Sequence, residues 1–333
     1  VRAADWPRRA FGVAAVLAAP FLVALSSCAS GPSAALDYRA EMRAFVLEIG
    51  AYARAVKPGF IVVPQNGMEL GTDSGDAAGT AQSGYLGAID GAGREDLFYG
   101  YEADDGETPS AERDRMLGLC DLFEDAGVEV LAIDYCSAPS KVDDSYARNA
   151  ARGYISFAAQ HRELDAIPGY PATPHNVNTG DVASLPEARN FLYLINSSSF
   201  ASKADFLAAA AATDYDLVVM DLFHDGEAYT AAEVQGLKTK AGGGSRLVIC
   251  YLSVGEAEDY RYYWDEDWTL LAPGWLEAEN PDWEGNYKVR YWDPAWKRII
   301  LGGTGSYLQR ILDAGFDGVY LDLIDAFEYF EGD

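Results

Sequence analysis

Met42, Phe45, Val46, Ile49, Tyr52 and Val56 recur near the helical period. They predict a helix over 38–56, stopped by Pro58-Gly59. Short apolar runs then alternate with helical patterns along the chain. Strands are expected at 60–63, 88–93, 128–133, 154–158, 191–195, 217–220, 247–252 and 318–321. Helices are expected at 82–86, 111–126, 141–152, 203–212, 230–240 and 293–314. Ser110 and Asp293 stand at helix starts, and Gly127, Gly153 and Gly242 at helix ends. The rhythm breaks twice. Residues 165–190, dominated by Pro, Gly, Asn and Thr, are expected to form a surface linker. Residues 257–292 form an excursion rich in aromatic and acidic side chains.

Alternating strand and helix implies a parallel α/β sheet, and eight units in about 300 residues suit a (β/α)8 TIM barrel. An open doubly wound sheet is the alternative. Closure accounts for one detail that an open sheet does not. The helix at 38–56 has no strand before it, and the strand at 318–321 has no full helix after it. In a barrel these two elements become neighbours.

Acids recur where the expected strands end: Glu95, Asp134, Asp221, Glu256 and Asp322. Each alone fits a helix cap. Five on the rim where parallel barrels build their sites fit chemistry better. Gln65, Asn66, Arg94, Tyr135 and Tyr251 add hydrogen-bonding groups there. Glycoside cleavage uses such paired carboxylates, one to protonate the leaving oxygen and one to attack or to activate water. There is no phosphate-binding glycine loop, and the three His and four Cys show no zinc spacing, so no metal or cofactor is expected.

The net charge of −27 excludes nucleic acid as a natural partner and favours a cationic one. The 7 Trp and 21 Tyr include many in the excursion, Trp292 among them, where flat rings would wall a cleft for a polar polymer. At the other end, Arg8-Arg9 precede an apolar run to Leu25 and then Ser26-Ser27-Cys28. This pattern reads as a secretory signal over 1–27. It resembles a bacterial lipobox that would lipidate Cys28, followed by a tether over 28–37 and a single barrel domain over 38–333. The expected location is the exported face of a bacterial membrane, held there by the lipid alone.

Three segments carry a family resemblance: Leu217-Val218-Val219-Met220-Asp221, Tyr251-Leu252-Ser253-Val254-Gly255-Glu256, and Gly315-Phe316-Asp317-Gly318-Val319-Tyr320-Leu321-Asp322. Together with Pro64-Gln65-Asn66-Gly67 and Gly93-Arg94-Glu95-Asp96, they resemble the glycoside-hydrolase family 114 superfamily, which includes endo-α-1,4-polygalactosaminidases. The order of these segments differs from the family's, as though the chain were circularly permuted with 165–190 joining the old ends. The resemblance implies Asp322 as nucleophile and Glu95 as acid/base, with Asp96, Asp134 and Glu256 competing for the second role. It also implies substrate contacts at Asp221, Tyr251, Glu256, Asn66, Arg94, Asp134, Tyr135 and Trp292. The implied substrate is an amino-sugar polysaccharide, cationic when deacetylated. A non-catalytic carbohydrate-binding surface lipoprotein is the second reading.

Overall fold

The computed structural model describes residues 36–332. Cys28 and the segment 1–27 lie outside them. The strands are β1 (Ile61–Pro64), β2 (Gly91–Glu95), β3 (Glu129–Tyr135), β4 (Ile155–Ala159), β5 (Phe191–Tyr193), β6 (Leu217–Met220), β7 (Phe223–His224), β8 (Glu227–Ala228), β9 (Leu247–Ser253), β10 (Glu256–Glu258), β11 (Leu276–Glu279), β12 (Asn286–Val289) and β13 (Gly318–Asp322). The helices are α1 (Tyr38–Val56), α2 (Ser83–Leu86), α3 (Ser110–Asp125), α4 (Pro139–Ala150), α5 (Lys203–Ala211), α6 (Ala231–Leu237), α7 (Pro294–Ile300), α8 (Tyr307–Asp313) and α9 (Phe327–Glu331).

Eight of these strands are the ones the apolar runs predict, and they form two parallel sheets. One has the order β1-β13-β9-β6-β5 and the other β2-β3-β4. A single parallel bridge, Gln65 to Gly93, joins β1 to β2. On the far side β4 lies beside β5 without a hydrogen-bonded ladder, and Phe157 faces Phe191 with ring centroids 5.7 Å apart. The fold is α/β with parallel sheets, and the hydrogen-bonded ring is not closed. The strands are nearly all buried, as runs covered on both faces must be.

Helix α1 packs against β1, α8 and α9, and β13, the strand expected beside it, is the ladder partner of β1. Asp37 caps it, accepting from the Ala40 amide at 2.8 Å. Its buried face runs through Met42, Phe45, Val46, Ile49, Gly50 and Ala53, while the expected Val56 is exposed.

Three expectations change. The helix expected over 293–314 is two helices, because Gly302 and Gly305 take positive φ and Ser306 caps a new start at α8. The excursion is a three-stranded antiparallel sheet, β10-β12-β11. Many of its rings pack on one another: Trp264 on Trp268, Trp268 on Trp275 and Trp275 on Trp296, at centroid distances of 5.2, 4.9 and 5.0 Å. Finally, 165–190 is a docked segment, not a loose surface linker. Val182, Leu185 and Ala188 are buried. The fully buried Lys240 donates to the carbonyls of Asn178 and Gly180, both at 2.7 Å, while paired with Asp216.

Candidate active site

The C-terminal ends of β1, β2, β9 and β13 meet around two carboxylates. Glu95 is the last residue of β2, and Asp322 the last of β13. Between them stands Gln65, one step beyond β1 and only 3% exposed. Its amide nitrogen carries two hydrogens. It donates to Glu95 Oε2 at 2.8 Å and to Asp322 Oδ1 at 3.2 Å. The Tyr193 hydroxyl donates to Gln65 Oε1 at 2.8 Å, which keeps the NH2 turned toward the acids. Residues 65, 95, 193 and 322 lie far apart in the chain, and the parallel packing brings them together.

Each carboxylate has two further donors. Asp322 accepts from the Tyr251 hydroxyl at 2.7 Å and from the Leu323 amide at 2.8 Å. Glu95 accepts from Asn66 Nδ2 at 2.9 Å and from the Tyr135 hydroxyl. The backbone turns through the left-handed region at Asn66, Asp96 and Leu323 (φ 57°, 59° and 60°), immediately beside Gln65, Glu95 and Asp322. Left-handed backbone is costly for a side chain such as leucine, and such conformations concentrate at functional sites. At Leu323 the turn aims the amide at Asp322.

Beneath the pair lies Tyr320, fully buried and two residues before Asp322 on the same face of β13. Gly93, two residues before Glu95, faces it. A Cβ at Gly93 would stand 1.8 Å from the Tyr320 hydroxyl oxygen. Glycine is required there by close approach, not by an unusual dihedral.

Burial and the neighbouring charge of Glu95 push Asp322 up to about 8. Asp96 is pushed up to about 7, by burial first and by Glu95, against the pull of Arg162. Asp325 rises to about 7 through burial, then Glu328 and Glu95, against Arg94 and Lys288. Closely spaced buried carboxylates do not all ionise. At neutral pH Asp322 therefore keeps its proton beside Glu95. An acid and a carboxylate side by side can give a proton to one atom of a ligand while offering an electron pair to another.

Four of the expected contact positions surround this pair or its cavity, Asn66, Arg94, Tyr135 and Tyr251, and Asp96, the competitor for the acid/base role, stands next to Glu95. Arg94 lines a cavity of about 160 Å³ with Asn66, Glu95, Asp96, Asp325 and Arg115, and its Nε has no hydrogen-bond partner. The others are committed elsewhere. Asp134 is fully buried and accepts from the amides of Phe98 and Tyr99, Ser145 Oγ and Asn149 Nδ2, which fixes the 97–99 loop to α4. Adjacent side chains on a strand point oppositely, so Tyr135 facing Glu95 sends Asp134 outward. Glu256 is 1% exposed and held by Lys288 at 2.6 Å and by Asn280 at 2.9 Å. Asp221 makes a two-pronged pair with Arg261, at 2.9 and 2.7 Å, and Arg261 also grips Glu258. Trp292 packs with Tyr38, Tyr291 and Phe330 against the C-terminal helix. The central place of Gln65 and the support from Tyr193, Tyr320 and Asp325 were not expected. The Tyr320-x-Asp322 alternation was the available signal.

A stretch of 122 residues is 49% identical to an uncharacterized protein of Methanocaldococcus jannaschii, covering 36% of this chain and 33% of that one. Uncharacterized proteins of Deinococcus radiodurans and Thermotoga maritima match over 123 and 119 residues at 48% and 40% identity. Those matches cover 37% and 36% of this chain, and 37% and 35% of theirs. The chain thus spans about a third of the length of the curated relatives it matches. Residues 171–333, which carry Asp322, Tyr251 and Tyr193, match the model of glycoside-hydrolase family GH114, and that match supports membership of the family.

Proposed function

We propose that this protein is a glycoside hydrolase that cleaves an amino-sugar polysaccharide, with Glu95 and Asp322 as its two working carboxylates. The observation that carries the proposal is the Gln65 bridge, one amide donating to both acids. The two accepting oxygens lie no further apart than the sum of those two bonds, about 6 Å. That favours the retaining class, with carboxyls roughly 5–5.5 Å apart, over the inverting class at roughly 6.5–9.5 Å.

In this reading substrate binding moves the proton from Asp322 to Glu95, and Asp322, held by Tyr251, Gln65 and the Leu323 amide, attacks the anomeric carbon as a carboxylate. Glu95, open to the cavity of Asn66 and Arg94, gives its proton to the leaving oxygen as the glycosidic bond breaks. A glycosyl ester on Asp322 results. Water then attacks this ester while Glu95 takes its proton, which frees Asp322. Asp96 and Asp325, both held up to about 7, would be driven to their charged forms by a cation beside the pair, which favours a sugar bearing an ammonium group, such as deacetylated α-1,4-polygalactosamine.

The eight parallel strands work here as a (β/α)8 barrel whose halves are exchanged in the chain. The family model covers the half from 171 onward, while Glu95 comes from the half before it. The two-sheet arrangement with β1 bridged to β2, and with α1 in the slot beside β1 and α8, supports that reading.

The test is release of reducing ends from deacetylated and N-acetylated galactosamine and glucosamine polymers. Cleavage of the deacetylated galactosamine polymer is expected, with Asp322→Asn and Glu95→Gln each at least about 10³-fold slower and folded. Full activity in either variant refutes the two-carboxylate mechanism. Early-time NMR of the product anomer decides retention.

A further inference from the structure

Arg162 lies in the loop after β4, outside the ring of donors that touch Asp322 and Glu95, and its contacts all lead to Glu95. Its guanidinium stacks over the Tyr135 ring, 4.2 Å from the centroid. The hydroxyl of that same ring donates to Glu95 Oε1. Nη2 of Arg162 pairs with Asp96, the residue after Glu95, and also donates to the Gly100 carbonyl. The turn from Asp96 to Gly100 closes tightly beneath it. Gly100 has φ 118°, and a Cβ there would stand 2.3 Å from Asp96 Oδ1 and 3.0 Å from the Tyr135 ring. Arg162 therefore fastens the end of β2, through Asp96, to the end of β3, through Tyr135, with one planar group.

The contacts suit arginine in particular. A flat cation stacks on an aromatic face while its edge donates to a carboxylate and a carbonyl together. Lysine keeps the charge but not the fork. The side chain is about one-third exposed and does not line the cavity beside Glu95. No fold-building role accounts for all three contacts. β2 and β3 are already joined by a continuous parallel ladder from Gly91–Glu129 to Glu95–Ile133.

We propose that Arg162 is a positioning residue for Glu95, fixing that carboxyl through Tyr135 and Asp96 without touching substrate. The proposal rests on the two-carboxylate reading for its kinetic consequence and on geometry alone for its structural one. A misplaced acid/base costs transition-state stabilisation more than ground-state binding, so kcat and not KM is the sensitive quantity.

The experiment pairs a crystal structure with kinetics for Arg162→Gln and Arg162→Lys. Arg162→Gln is expected to lose the Tyr135–Glu95 hydrogen bond in the crystal. On the deacetylated galactosamine polymer, kcat should fall about 10²-fold with KM within about twofold, and Arg162→Lys should recover only part. In a Tyr135→Phe background the Arg162→Gln effect should shrink to less than about fivefold, because the group it steadies is gone. An unchanged Tyr135–Glu95 contact in the Arg162→Gln crystal overturns the proposal, as does an equal kcat loss in both backgrounds. If the parent protein cleaves none of the polymers, the functional reading fails. The crystal structure of the variant then decides the brace by itself.

Discussion

Replacing Asp322 by asparagine should stabilise this protein, and the gain should grow with pH. The native site holds the Asp322 carboxyl up to about 8, whereas its ordinary value is 3.8. The cause is burial first and then the charge of Glu95. Below about pH 4 the group is protonated in both folded and unfolded chains, and it contributes no difference. Between about 4 and 8 the unfolded chain releases the proton while the native chain keeps it. The unfolded state then binds fewer protons, so stability falls as pH rises through that window. Above about 8 both forms are ionised and the penalty is constant. The three units between pH 4 and pH 7, at about 1.4 kcal/mol each, set an upper limit of about 4 kcal/mol.

Partial exposure of Asp322 reduces this to about 1–2 kcal/mol at pH 7. That corresponds to about 2–3 °C in Tm for a domain of this size. The asparagine substitution suits the test because it preserves the local bonding. Its amide oxygen accepts from the Leu323 amide and from Gln65, and its NH2 donates to the Tyr251 hydroxyl, which is also an acceptor. The assay is thermal unfolding of parent and Asp322→Asn side by side from pH 4.5 to 8.5, so that titrations common to both cancel. A Tm difference that is flat with pH, or a variant less stable than the parent at pH 7.5, refutes the reasoning.

Other consequences are equally open to measurement. Because the pair must keep one proton to act, kcat/KM on the cleaved polymer should fall as pH rises through about 8, the value to which Asp322 is raised; a profile level from pH 7 to 9.5 contradicts this. Gly93→Ala drives a methyl group into Tyr320 beneath both acids; a loss of about 1–3 kcal/mol by denaturant unfolding is expected, together with reduced activity, and an unchanged midpoint removes the close-approach argument. Lys240→Met leaves Asp216 buried and unpaired where both side chains have zero exposure; it should cost about 3–5 kcal/mol, and adding Asp216→Asn should restore part of that loss.

What the residue pattern revealed and what it concealed divide along a physical line. Strands were legible because apolar runs of four to six residues, five of them followed by an acid, have few other readings, and all eight landed within a few residues. Helix ends set by glycine were less so. The run Gly302-Gly303-Thr304-Gly305 looks like a flexible place in one helix, yet two positive-φ glycines there forbid continuation. The β7-β8 hairpin is set locally by Asp225-Gly226, both at positive φ, whereas β10-β12-β11 joins segments separated by long loops, so its pairing is not legible from either neighbour alone.

The site was legible as a list of acids and illegible as a geometry, and side-chain parity explains much of the difference. A strand sends successive side chains to opposite faces, so a shift of one residue exchanges the inward and outward sets. Asp134 and Tyr135 both end β3, and composition ranks the acid above the phenol. The register Leu131–Ile155 through Tyr135–Ala159 turns Tyr135 toward Glu95 and leaves Asp134 to anchor α4 and the 97–99 loop. The same parity explains why Gly93 and Glu95 share a face, as do Tyr320 and Asp322. The two alternations meet as a small residue opposite a large one, with a carboxylate above each. An arrangement of this kind needs two distant segments in one register, and neither segment alone specifies it. Once Asp322 is accepted as a strand end, however, the tyrosine two residues before it demands a partner face with no side chain. In Gly93-Arg94-Glu95 that space comes with the second acid attached.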